Sequence, residues 1–209
     1  MNISSSLSRK LLQIKAIKLS PQNPFTWASG MQSPIYCDNR ITLAHPEIRS
    51  MIKEGFAEQC LSYESVDLIA GVATAGIAHG ALLADHMSLP FAYVRSKAKG
   101  HGRLNTIEGQ VKAGQDCIVI EDLISTGGSS IKAVEDLREA GVNVVAVLAI
   151  FSYNLDKAKK NFERADCKYA TLTDYTNLIT IAAEDNFVQP QELDLLKIWS
   201  QDPENWTHN

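Results

Sequence analysis

Apolar positions along this chain follow two rhythms. Short apolar runs alternate with longer stretches in which apolar residues recur every third or fourth position. The first rhythm suits strands buried on both faces, and the second suits helices with one apolar stripe. Residues 7–19 have the helical spacing, through Leu7, Leu11, Leu12, Ile14 and Ile17. Residues 23–38 hold two aromatic or β-branched stretches around Ser29-Gly30, which predicts a hairpin, and Pro34 places part of it at an edge. Pro46 suits the first turn of a helix running to about residue 62. Strands are then expected at 66–70, 91–94, 107–112, 116–120, 143–151 and 168–172. Helices are expected at 76–87, at 129–140 (ended by Gly141) and at 155–165. The tail reads as two helices, 174–184 and 190–200.

Repeated strand–helix units in one chain imply an α/β fold, with a mostly parallel sheet covered on both faces. The first helix and the hairpin fall outside that alternation. Residues 1–45 are expected to form a small hood over the C-terminal ends of the strands, where open α/β sheets bind ligands. Residues 46–209 then form the core and C-terminal helices of a single domain spanning 1–209.

Composition narrows the class. The chain has 209 residues, 45 % of them hydrophobic and 21 % charged, as expected of a globular protein with a full core. No apolar run reaches membrane length, and the first residues do not read as a signal peptide. Cys37, Cys60, Cys117 and Cys167 form no C-x-x-C pair and read as reduced cytoplasmic thiols. The five histidines form no ligand cluster, so no metal site built from protein side chains is expected. A net charge of −4 argues against a nucleic-acid surface. One segment departs from the acidic average. Arg95, Lys97, Lys99 and Arg103 fall in nine residues without an acid, interleaved with Gly100, His101 and Gly102. A flexible basic loop directly after a strand reads as a clamp for a polyanion.

The most specific chemistry lies between Cys117 and Ser130. An apolar strand delivers Glu121 and Asp122, then Ser125-Thr126-Gly127-Gly128-Ser129-Ser130, and then a helix. A small-residue loop opening a helix is an anion site, because backbone N–H groups and the helix dipole favour negative charge. The spacing excludes a P-loop, which needs Lys after its last Gly. It also excludes the Gly-x-Gly-x-x-Gly dinucleotide turn. Two carboxylates beside a phosphate are unfavourable unless they face something neutral and hydroxylated. A ribose 5′-phosphate satisfies both halves, with its phosphate on the loop and its 2′- and 3′-hydroxyls on the acids.

This segment resembles the phosphoribosyl pyrophosphate motif of the type I phosphoribosyltransferases. The wider pattern resembles the orotate phosphoribosyltransferases among them. The stretch from Phe25 to Tyr36 is similar to their base-binding hairpin, and Arg95-Ser-Lys-Ala-Lys-Gly-His-Gly102 resembles their mobile catalytic loop. With Val72-Ala-Thr-Ala-Gly76, these motifs stand in the family's order over most of the chain.

The resemblance implies a type I phosphoribosyltransferase fold and transfer of ribose 5-phosphate from phosphoribosyl pyrophosphate to orotate, in pyrimidine synthesis. It implies catalytic roles for Lys99, His101 and Asp122. Phosphoribosyl pyrophosphate would meet Arg95, Lys99, His101, Glu121, Asp122, Leu123, Ile124, Ser125, Thr126, Gly127, Gly128 and Ser129. Its pyrophosphate would sit on Ala73, Thr74 and Ala75, and orotate on Ser125. Mg²⁺ would bridge substrate oxygens. A homodimer with shared active sites is implied, with no nucleic-acid or membrane partner. The pattern departs from the family at Ala28, Ala75 and Ser152-Tyr153-Asn154, where related enzymes carry cations. That leaves Arg40 as the candidate reader of the orotate carboxylate. The alternatives are a purine-base phosphoribosyltransferase and a non-catalytic regulator that binds phosphoribosyl pyrophosphate.

Overall fold

The computed structural model describes residues 2–27, 30–97 and 106–206. Its centre is a six-stranded sheet. In chain order the strands are β5 (Leu68–Val72), β6 (Phe91–Val94), β7 (Ile107–Glu108), β8 (Asp116–Ile124), β9 (Asn143–Ser152) and β10 (Tyr169–Asp174), arranged β10-β9-β8-β5-β6-β7. All neighbours are parallel except β7, which runs antiparallel to β6 at one edge. Every residue of β5 is buried, as a central parallel strand covered on both faces requires.

Helices α2 (Pro46–Cys60), α3 (Ala75–Met87), α4 (Gly128–Glu139), α5 (Asp156–Arg164), α6 (Tyr175–Glu184) and α7 (Pro190–Gln201) flank the sheet. One face carries a core cluster that includes Ile48, Ile52, Phe56, Leu178 and Trp199. The other face packs Ala133, Val134, Leu137, Ala158 and Phe162 of α4 and α5 against β5, β8 and β9. The path β5–α3–β6 leads one way along the sheet and β8–α4–β9 leads the other. The gap between the C-terminal ends of β5 and β8 is therefore a topological switch point, where such sheets bind ligands.

The first 45 residues differ from expectation. The expected helix at 7–19 is α1 (Ile3–Gln13) followed by a strand, β1 (Ile17–Leu19). The Asn2 side chain caps α1 by accepting from Ser4 N–H at 3.2 Å, and Lys15, at φ 59°, turns the chain out of the helix. β1 then pairs antiparallel with β4 (Ile35–Cys37), while β2 (Phe25–Thr26) pairs with β3 (Gln32–Ser33). Nor is α1 a detached lid. It packs on α6 and β10 with Leu7 and Leu11 fully buried, which stabilises by about 1.5–3 kcal/mol per side chain. Only β1–β4 and the 3₁₀ helix Asn39–Ala44 lead toward the ligand end of the sheet. In the core, the expected strand at 66–70 starts two residues later, at Leu68. The strand at 107–112 stops at Glu108, where Gly109 takes φ 106°.

The 3₁₀ helix is tied to α3 by a buried histidine. His79 Nε2 lies 3.3 Å from Thr42 Oγ1, and burial, with a smaller push from Arg49, lowers its pKa from 6.5 to about 4. Below pH 6.5 the unfolded chain takes up this proton while the folded chain refuses it until about pH 4. Stability therefore falls as pH drops through that window, by at most about 3 kcal/mol. His79→Gln is expected to remove that slope. Urea unfolding of both proteins across the window checks this, and identical slopes would overturn it.

Candidate active site

β8 pairs with β5 only as far as Ile120 but with β9 as far as Ile124. Its last four residues therefore project past β5, and Glu121 and Asp122 lie within the strand, not after its end at 120 as expected. Successive strand residues face opposite ways. Glu121 is buried against the start of α4: Ser129 Oγ and Ser130 Oγ donate to Oε2 at 3.0 and 3.2 Å, and Asp122 N–H donates to Oε1 at 3.1 Å. Burial first, and the charge of Asp122 second, push the Glu121 pKa up to about 8. Asp122 is half-buried. Its pKa is raised by burial, against lowering contributions from its hydrogen bond with Glu121 and from the charge of Arg40. Near neutral pH the pair thus resists carrying two full charges until something positive arrives.

The loop after β8 turns at Gly127, at φ 79°, where an added Cβ would also stand 2.6 Å from the Phe162 ring. Asn161 Nδ2 donates to the Thr126 carbonyl at 3.0 Å and holds the turn. The residue before α4 is Gly127, which has no side chain to cap the helix, so the first N–H groups of α4 are left to an anion. The hydroxyls of Ser129 and Ser130 orient Glu121, so what Ser129 offers an anion is its backbone N–H. Helix α3 begins in the same way, without a side-chain cap from Thr74. The Ala73–Thr74 peptide is cis, and Ala73 N–H is already given to the Val94 carbonyl at 2.8 Å. Two uncapped helix starts therefore flank the switch point, with the acids between them. Arg95 follows β6, and its Nη1 stands 3.4 Å from Glu108 Oε1.

Beside Ser125 lies a pocket of about 280 Å³, lined by Thr26, Trp27, Tyr36, Cys37, Leu123, Ser125 and Tyr153. Trp27 serves both the hairpin and the pocket. Its Nε1 donates to the Ile35 carbonyl at 3.1 Å, and its ring lies 5.2 Å from Tyr153. Burial and the nearby charges of Asp122 and Asp38 hold the Cys37 thiol protonated, so it is a wall and not a nucleophile. A larger opening, about 650 Å³, is lined by Tyr63, Phe162, Cys167 and Tyr169 toward the start of β10, and shares no residue with the loops.

The start of α3 and the loop before α4 meet at the acids: Ala73 and Ser129 line one small pocket, and Gly76 packs on the backbone of Ile120 and Glu121. Arg40 is not among the residues lining the pocket. Its guanidinium is held by both oxygens of Asp38, at 2.6 and 2.9 Å, and its side chain is 63 % exposed. Reaching a base would require it to leave Asp38. Lys99 and His101 lie outside the described residues, as does Ala28. Sequence reasoning placed Tyr36 at the end of the base-binding hairpin but gave no role to Cys37 and Tyr153. It also missed Asn39, which is fully buried and donates from Nδ2 to the Asp122 carbonyl at 2.7 Å. Tyr153 lies far along the chain from the hairpin, and the Asn39 contact spans 83 positions, so neither leaves a local signal.

The sheet order, the paired helix starts and the acids between them define a type I phosphoribosyltransferase fold. Residues 42–195 match the family model for the phosphoribosyl transferase domain. The chain is 53 % identical over 207 residues to the orotate phosphoribosyltransferase of Streptococcus sanguinis, covering 99 % of each chain. It superposes on the orotate phosphoribosyltransferase of Aeropyrum pernix with a TM-score of 0.74 and 28 % identity, over 88 % of this chain and 99 % of that one. It also superposes on the UMP synthase of Leishmania donovani with a TM-score of 0.80 and 26 % identity, over 94 % of this chain and 42 % of that longer one. The chain belongs to the phosphoribosyltransferase family, in its orotate phosphoribosyltransferase branch, and is an enzyme of the glycosyltransferase class.

Proposed function

We propose that the enzyme transfers ribose 5-phosphate from phosphoribosyl pyrophosphate to orotate, giving orotidine 5′-phosphate and pyrophosphate, in pyrimidine synthesis. The observation that carries this reading is the acid pair set between two uncapped helix starts, beside an aromatic pocket. The start of α4 and its loop take the 5′-phosphate, the start of α3 takes the pyrophosphate, and the pocket takes the base. A ring nitrogen of orotate attacks C1 of the sugar and gives up its proton, which the departing pyrophosphate takes up. The C1–oxygen bond breaks, and its electron pair leaves with pyrophosphate. Positive charge grows on the sugar ring during this exchange. Asp122 accepts the ribose hydroxyls, and Glu121, held behind it by Ser129, Ser130 and the Asp122 N–H, adds its charge, so the pair ionises most readily when the ring is most positive. Catalysis is then mainly positioning and electrostatics.

Mg²⁺ fits this arrangement as an ion held largely by the substrate. Among the described residues no three His, Cys, Asp or Glu side chains gather around one point, and both Glu121 oxygens already accept hydrogen bonds. Asp122 is left as the carboxylate that would contact it, which suits an ion that keeps its waters and leans on phosphate oxygens. When bound, the ion would neutralise charge on the departing pyrophosphate. Among the described residues no helix is long and apolar enough to cross a membrane, and the four cysteines are free. Reduced thiols support a cytoplasmic location.

Ultraviolet monitoring of orotate tests the reading. Its consumption should require both phosphoribosyl pyrophosphate and Mg²⁺. Turnover of a purine base in place of orotate, or binding without turnover, would overturn it.

The basic segment 95–103 supports a homodimer in which each subunit's loop serves its partner. Lys99→Ala and Asp122→Asn, each impaired alone, should then complement each other. A mixed dimer collects both defects in one site and neither in the other. Refolding an equimolar mixture should restore about a quarter of all sites, because about half the dimers are mixed. A mixture no more active than its components, with mixed dimers demonstrably formed, would place each loop in its own subunit.

A further inference from the structure

A small pocket separate from the base pocket lies where three segments meet. It is about 60 Å³ and is lined by Val72 and Ala73 after β5, by Val94, Arg95 and Ser96 after β6, and by Ser129, Lys132 and Ala133 of α4. That is the volume of about two waters, room for one end of a polyanion. Ser129, Lys132 and Ala133 stand one turn apart on α4 and share a face. Among the described residues, the charged side chains lining the pocket are Arg95 and Lys132, both cations. Each cation rests on an acid outside the lining: Arg95 on Glu108 at 3.4 Å, and Lys132 on Asp136 at 2.7 Å. Lys132 is half exposed while Asp136 is buried, so the ammonium is the partner free to swing.

We propose that Lys132 is a further substrate-binding residue, which leaves Asp136 to hold the pyrophosphate end of phosphoribosyl pyrophosphate together with Arg95. This rests on the transferase reading above. An ordinary helix-surface pair one turn apart would be indifferent to ligand. A pyrophosphate-binding lysine is selective in a way such a pair is not. Phosphoribosyl pyrophosphate and free pyrophosphate carry the group that Lys132 would hold, whereas orotidine 5′-phosphate carries only the 5′-phosphate on the loop of Ser125–Gly128.

Dissociation constants for pyrophosphate, phosphoribosyl pyrophosphate and orotidine 5′-phosphate, measured for wild type and three variants, decide this. Lys132→Met is expected to weaken the first two by about tenfold, the scale of one charge-assisted hydrogen bond. Its affinity for orotidine 5′-phosphate should stay within about twofold, since no contact to the 5′-phosphate is lost. Lys132→Arg should recover most of the loss, and Asp136→Asn, which frees the ammonium, should tighten pyrophosphate binding. Unchanged pyrophosphate binding in Lys132→Met, or equal weakening of all three ligands, would overturn the assignment. A wild-type enzyme that binds none of the three would instead sink the transferase reading itself.

Discussion

Asp122→Asn is expected to lower turnover by about 100-fold or more, the scale of removing one group aimed at developing charge. The substitution keeps shape and removes charge. Its backbone contacts survive, because Asn39 bonds the Asp122 carbonyl and Glu121 accepts the Asp122 N–H. Folding stability should hold or rise slightly, since burial opposes the ionised carboxylate. The neighbouring acid should respond as well. Glu121 loses the charge of Asp122, one of three influences that raise its pKa, and keeps the largest, burial, so the pH profile should move toward acid without returning to an ordinary carboxylate. Steady-state rates across pH, beside a melting curve, separate these effects. Turnover close to wild type would sink the role of the acid pair in stabilising the sugar.

The largest structural effect is expected at Gly76. Helix α3 crosses β8 so closely that a Cβ on Gly76 would stand 2.3 Å from the Ile120 carbonyl oxygen and 3.3 Å from Glu121 Cα. Both are backbone atoms and cannot rotate aside. Gly76→Ala must push α3 off the sheet or displace the strand that carries the acids. Overpacking of this kind costs about 3 kcal/mol or more, which lowers Tm by about 6–12 °C in a domain of this size. Activity should fall beyond what stability explains, because the displaced atoms adjoin Glu121 and the start of α3, where the proposed function seats the pyrophosphate. Gly128→Ala is the control. Its added methyl meets only Thr126 Oγ1, at 3.9 Å, and its Tm should be unchanged. A Gly76→Ala protein that melts with wild type would mean that α3 and β8 do not approach so closely.

The two substitutions mark what local pattern carries. The segment from Cys117 to Ser130 was legible because its chemistry is contiguous: an apolar strand, two acids and a loop of hydroxyls and glycines form one turn of chain. Gly141 was legible as a helix stop because a left-handed residue there favours glycine, and it stands at φ 81°. The reach of β8 was not. Sequence pattern ended the strand at residue 120 because acids are poor strand residues, but β9 continues beside it and pairs Leu123 with Phe151. Helical spacing likewise extended the first helix through Ile17, whereas Ile17–Leu19 gains a partner strand in Ile35–Cys37. Tertiary pairing outweighed a periodicity that fits either element when the run is short.

Local pattern carries the fold class, the small-residue loop and the adjacent acid pair, because strand, loop and helix propensities act between neighbours. Tertiary structure alone decided what surrounds them. It set Asn39 on the Asp122 carbonyl, seated Trp27 against Tyr153 and Trp199, paired Arg40 with Asp38 outside the base pocket, and put Lys132 beside Arg95 and Ala73. Those contacts depend on which distant segments bury together. Burial is non-directional and leaves no periodic trace in the chain that would foretell its partners.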